Sequence, residues 1–179
     1  MKSTIKTNLS YALLALVAFI SGCSTLTRVE NMTVEGQPSQ KIAETPLRKN
    51  LAIKDVTMVN KAPADRFEEA LEGSLRAVGL FAPKDVGSYI LTAHVQKLDQ
   101  PFVGANMTVT ASIRYIVTER ATGKEVFYKI LTLPYTAKFT DSFIGVERLR
   151  LATEGAIKAN IAQLIDDLFS LNIQSVSMN

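Results

Sequence analysis

MTVTASIRYIVT, residues 107–118, alternates without a break. Met107, Val109, Ala111, Ile113, Tyr115 and Val117 fall on one side, and Thr108, Thr110, Ser112, Arg114, Ile116 and Thr118 on the other. Period-two alternation predicts a strand with one face on a core and the other against water or a partner. Downstream, Ala121-Thr122-Gly123-Lys124 reads as a hairpin turn in which Gly123 is free to take positive φ. Residues 125–139 then return as a strand, and Pro134 confines its later half to an edge or bulge. Upstream, residues 89–98 supply another strand, behind a loop bracketed by Pro83 and Gly87.

Further out the period changes. Residues 51–59 (LAIKDVTMV) predict a first strand, ended by Asn60-Lys61. Pro63 suits a helix start, and Phe67, Leu71, Leu75 and Val78 make one apolar stripe that Gly79 stops. A last helix is predicted over 146–169, with Leu149, Ala152, Ala156, Ile157, Ile161, Leu164, Ile165 and Leu168 on a broad apolar side. The order β-α-β-β-β-α predicts an α+β two-layer sandwich: a mostly antiparallel four-stranded sheet with two helices on one face. A parallel pairing of the first two strands would make their crossover right-handed. Residues 51–179 are enough for one modest core, and no internal repeat is visible.

The start of the chain reads as an address. Lys2 and Lys6 precede the apolar run 11–20 (YALLALVAFI), which is too short to cross a bilayer in a helix and fits a secretory signal of residues 1–22. Ile20-Ser21-Gly22-Cys23 resembles the lipobox of bacterial lipoproteins. That resemblance implies cleavage between Gly22 and Cys23, and diacylglycerol and N-acyl (palmitate-type) chains on Cys23. Ser24 in such lipoproteins implies sorting to the outer membrane. The implied partner is the inner leaflet of that membrane, held by two or three chains where one alone is marginal. Residues 23–50 would then be the lipidated N-terminus and a tether, with a short strand around 28–34. Their polar composition suggests a reach of about 25–30 Å. The domain 51–179 would face the periplasm.

Composition agrees with this reading. The 179 residues include 20 Lys+Arg, 17 Asp+Glu, one His, one Cys and no Trp. A single Cys excludes an intramolecular disulfide and a Cys/His zinc site within the chain. Of the 20 basic residues Lys2 and Lys6 leave with the signal, so the mature side chains carry 18 against 17 acids, and the basicity largely belongs to the export signal.

Three stretches, FEEALEGSLRAVGLF (67–81), LDQPFVGANMTVTASIRYIV (98–117) and VERLRLATEGAIKANIAQLIDDL (146–168), resemble a group of small uncharacterised Gram-negative outer-membrane lipoproteins. The architecture alone is also similar to the lipoprotein partner of the lipopolysaccharide-assembly barrel, to auxiliary lipoproteins of lipid-transport systems and to the N-terminal domain of Tol-type proteins. The likeness rests on packing and turn motifs, so only Cys23 takes a role from it.

Candidate chemistry is sparse. His94, the single histidine, stands in a strand between Thr92 and Gln96, and no nucleophile motif, P-loop, dinucleotide fingerprint or metal-binding motif accompanies it. Asp166-Asp167 lies where the helix dipole disfavours acids, and reads as a solvated helix end or a metal or basic-partner site. Arg148 and Arg150, with Glu147 and Glu154, read as a salt-bridged solvent face or as contacts to lipid phosphate or a partner carboxylate. Phe102 and Val103, between Pro101 and Gly104, either insert into a partner or lipid head groups or fold back on the core. Arg114 marks the polar face of the third strand. No metal, cofactor or nucleic acid is expected. The expected function is a non-enzymatic binding, adaptor or accessory subunit of an envelope assembly or transport system, with an envelope protein as partner. The alternative is a lipid or glycolipid carrier with a cavity between sheet and helices.

Overall fold

The computed structural model describes residues 27–37, 40, 44–59 and 64–171. Its elements run α1 (Val29–Met32), β1 (Leu51–Thr57), α2 (Asp65–Ala77), β2 (Tyr89–Asp99), β3 (Met107–Glu119), β4 (Glu125–Ala137), a 3-10 turn (Phe139–Asp141) and α3 (Gly145–Ser170). One four-stranded sheet has the order β1-β2-β3-β4. It is mixed: β1 pairs parallel with β2 through the α2 crossover, while β2–β3 and β3–β4 are antiparallel.

β3 carries the expected alternation from Met107 to Val117, every second side chain buried. Bulges in β1 and β2 keep the two preceding strands in phase. In β1 the pairing slips between Ile53 and Asp55, which returns Val56 to the core side after the polar Lys54-Asp55 pair. In β2 the slip between Val95 and Lys97 lets Leu98 pack inward where strict alternation would place Lys97. β4 is an edge strand and so accommodates Pro134, opposite Thr110.

The helices cover one face of this sheet. α2 buries Phe67, Ala70, Leu71, Ser74 and Leu75, a stripe at helical spacing. It ends where Gly79 takes φ 76°, letting the Leu80 and Gly79 amides donate back to the Leu75 and Arg76 carbonyls at 2.9 and 3.0 Å. α3 buries residues on two sides because β3 and β4 lie under it and α1 lies alongside.

α1 corrects two expectations. A third helix is present, over residues read as the start of a tether containing a strand. Its Met32 is buried, as is Leu47, so the described part of 27–50 belongs to the folded domain. The Val34 amide donates to Ser74 Oγ at 2.8 Å and Arg66 Nη1 to the Thr27 carbonyl at 3.0 Å, which fixes the segment along α2. Four residues are too few for a helix alone; the groove between α2 and α3 supplies the stability.

Tyr115 is fully buried in mid-sheet, and its hydroxyl meets no hydrogen-bond partner among the described residues. Burial pushes its ionisation far above the ordinary 10.0. Tyr115→Phe removes an unpaired polar group and should raise stability by about 1 kcal/mol at neutral pH, read from the urea midpoint. The sign also sets an alkaline limb. Above pH 10 the unfolded phenol ionises while the native one stays neutral, so the wild type loses stability as pH rises. The Phe variant should lose less.

Candidate functional site

Arg148 and Arg150 look like surface charges in sequence, but both side chains are buried, which corrects the expected solvent or partner contact. Arg150 is held between two carboxylates: Nη1 donates to Glu154 Oε1 at 2.5 Å, Nε to Glu147 Oε2 at 3.1 Å, and Nη2 to Glu147 Oε1. Glu154 then reaches across to α1. Its Oε1 accepts the Arg28 amide at 2.6 Å, and its Oε2 accepts Asn31 Nδ2 at 2.8 Å. This buried ion pair is therefore the fastening of the N-terminal segment onto α3. The Glu147 carboxyl is held below its ordinary 4.5, chiefly by its hydrogen bond to Arg150. The stability from that contact is present above pH 4.5 and drains as pH falls through the lowered value.

Arg148 fastens a different pair of segments. Its guanidinium donates to the Ser142 carbonyl at 2.8 Å and the Gly104 carbonyl at 3.1 Å, and lies 5.1 Å from the Phe139 ring centroid. Asn106 Oδ1 accepts the Phe139 amide at 3.1 Å. The β2–β3 loop and the β4–α3 connection are thus tied into one end of the domain. That end presents Phe102 and Val103, fully and 85 % exposed, beside Phe143, Ile144 and Val146, at 78, 64 and 59 %. Phe139 and Phe143 stack edge to face, ring centroids 5.2 Å apart. Phe102 and Val103 point into solvent and do not fold back. Their neighbours at 143–146 are missed in sequence, where Val146 reads only as the first residue of the last helix and Phe143 and Ile144 stand outside every predicted element.

The opposite face of the sheet places His94, Arg114 and Ile130 in one cross-strand row and Thr92, Ile116 and Tyr128 in the next. No described helix covers it; Tyr128 and Ile130 are exposed, and Arg114 is half-buried. His94 Nδ1 bonds the Thr57 hydroxyl on the adjacent strand. Asp166 and Asp167 are engaged: Asp166 accepts from Gln40 Nε2 at 3.0 Å, and Asp167 pairs with Lys129 at 2.8 Å. Among the described residues no group of three or more His, Cys, Asp or Glu is placed to hold a metal. Gly22 and Cys23 lie outside the described residues.

The space between sheet and helices, where a carrier would need its cavity, is filled by Leu71, Leu91, Ile113, Tyr115, Ile157 and Ile161. A cleft of about 530 Å³ lies instead on the flank, between α1, α3 and Tyr135 of β4. Gly155 makes its floor: a Cβ there would press into the Tyr135 ring, 2.5 Å from Cε1. Among the described residues no helix is long and apolar enough to cross a membrane.

No family model matches the chain, and no curated protein matches it in sequence. Solved structures do share its fold. A Xanthomonas campestris protein of family DUF330 superposes with a TM-score of 0.59 at 10 % identity, over 82 % of this chain and 93 % of that one. A minor lipoprotein from Acinetobacter baumannii gives 0.50 at 14 % identity, over 70 % and 94 %. A hypothetical protein from Chlamydia trachomatis gives 0.50 at 9 %, over 69 % and 97 %. At those identities the likeness is one of fold.

Proposed function

We propose that this chain is an outer-membrane lipoprotein, cleaved behind Gly22 and acylated on Cys23, whose periplasmic domain binds another envelope protein as an adaptor or accessory subunit. The observation that carries the binding role is the uncovered sheet face. Ile116, Tyr128 and Ile130 stand there among threonines, with Arg114 beside them, on the side away from every described helix. Rigid strands presenting mixed apolar and hydrogen-bonding side chains suit a protein partner, and among the described strands β4 has a neighbour on one side only, an edge suited to strand addition. The anchor rests on the lipobox-like tetrapeptide, and one protein of the same fold is itself described as a minor lipoprotein. His94 is engaged by the Thr57 hydroxyl on the adjacent strand and lies apart from the flank cleft.

Two measurements test this reading. Mass spectrometry of the mature N-terminus should show an acylated Cys23; a free thiol would end the lipoprotein reading. A photo-crosslinking residue in place of Tyr128 or Ile130, activated in native membranes, should give one reproducible adduct. The same residue at Val86, exposed in the loop before β2, should give none. Equal yields from all three positions would end the adaptor reading.

A further inference from the structure

The end of the domain built from the β2–β3 loop and the β4–α3 connection, we infer, is a lipid-contacting surface that seats Phe102, Val103, Phe143, Ile144 and Val146 in the bilayer interface. The inference rests on the acylation of Cys23 and adds to it an orientation. Five large apolar side chains, all more than half exposed, crowd one end, and Arg148 locks their two segments together. A rigid apolar cluster of this kind marks an interaction surface.

The chain's own geometry says what covers it. Arg28 is bonded to Glu154 and Gln40 to Asp166, so the N-terminal segment runs in the same direction as α3. Arg66, in the first turn of α2, holds Thr27. The chain therefore enters the fold from the side on which α2 and α3 begin, the side of the apolar end. Cys23 is four residues ahead of Thr27, and even fully extended that link spans at most about 14 Å. From Glu154 back to Gly145, nine residues of α3 cover about 14 Å as well. An anchored Cys23 thus cannot hold Thr27 farther from the lipid than the start of α3 already reaches. Met107 and Ala137 end their strands opposite each other, and Met107 stands beside Gly145 at the start of α3, so the two loops follow from that level and slack in the link lets them approach the lipid. The reach of about 25–30 Å expected of a 25-residue tether is unavailable, because the segment from Thr27 onward is bound to the domain. Lys138, Asp141 and Glu147 give this end mixed charge, so apolar contact and not attraction to anionic head groups makes the seat.

The test uses full-length acylated protein in phosphatidylethanolamine–phosphatidylglycerol vesicles containing nitroxide-bearing lipid. Phe102→Cys and Phe143→Cys, each labelled with an environment-sensitive fluorophore, are compared with Val86→Cys at the other end of the sheet. Val103→Cys replaces either variant whose urea midpoint has moved. Labels at 102 and 143 should be quenched several-fold more strongly than at 86, with blue-shifted emission. Equal quenching on a protein whose Cys23 is acylated overturns this inference and leaves the lipoprotein reading standing. An unacylated Cys23 overturns both. Blue-shifted emission without lipid quenching also overturns it, since the cover would then be protein.

Discussion

Glu154→Ala is expected to destabilise the domain by about 3–5 kcal/mol, the largest effect of any single polar substitution predicted from this fold. The Arg150 and Glu154 side chains are 4 and 1 % exposed. Removing the carboxylate leaves a guanidinium out of water with only Glu147, itself one-third exposed, as its partner. The same change strips the acceptors from the Arg28 amide and from Asn31 Nδ2. Chemical denaturation should show the loss, and hydrogen exchange should show that it is felt first at residues 28–34. A loss below about 1 kcal/mol would mean the pair is solvated like an ordinary surface bridge.

A buried pair is not thereby a source of net stability. Taking both charges out of water costs several kcal/mol, and mutual attraction only offsets that when the geometry is good. The double variant Arg150→Met/Glu154→Leu should accordingly recover most of the loss. What it cannot restore is an acceptor for the Arg28 amide, a deficit of about 1–3 kcal/mol. That residue of unrecovered stability is the part owed to fastening α1, and it would also loosen the link that fixes the domain's distance from Cys23.

The sheet and both long helices are legible in sequence because their signals are long. Six consecutive alternations over 107–118 leave one orientation for β3, and the stripe from Phe67 to Val78 is interrupted by nothing before Gly79. α1 is not legible, since VENM makes barely one helical turn, too short to show a repeating stripe, and is helical only where α2 and α3 flank it. The charged residues of α3 mislead for the same reason. Glu147, Arg150 and Glu154 stand at the spacing of solvated i, i+3 and i, i+4 pairs, and what Glu154 meets besides Arg150 is a segment more than a hundred residues earlier. Arg148 is likewise held by carbonyls at Ser142 and Gly104 that no local pattern announces. The apolar loop at Phe102 is visible as an oddity, but its companions at 143–146 join it only through the fold.

Gly155 offers a second large effect, one whose sign depends on a single neighbour. In mid-helix, glycine costs about 1 kcal/mol relative to alanine, so Gly155→Ala would ordinarily stabilise α3. Here the Tyr135 ring lies across the backbone, and the new Cβ would intrude on Cγ, Cδ1 and Cε1, the last at 2.5 Å. Those atoms lie at the base and side of the ring, so no small torsion at its tip clears them. Overpacking of this kind costs about 1–3 kcal/mol, and contacts so short belong to the upper end. The expected net result is a loss of about 2 kcal/mol. In a Tyr135→Ala background the ring is gone and the same substitution should gain about 1 kcal/mol. The double-mutant cycle should therefore give a coupling of about 3 kcal/mol, where unlinked positions give a few tenths. A Gly155→Ala protein as stable as wild type would show that Tyr135, already 44 % exposed, swings aside at no cost. The flank cleft between α1 and α3 would then be open in solution and not roofed by the ring.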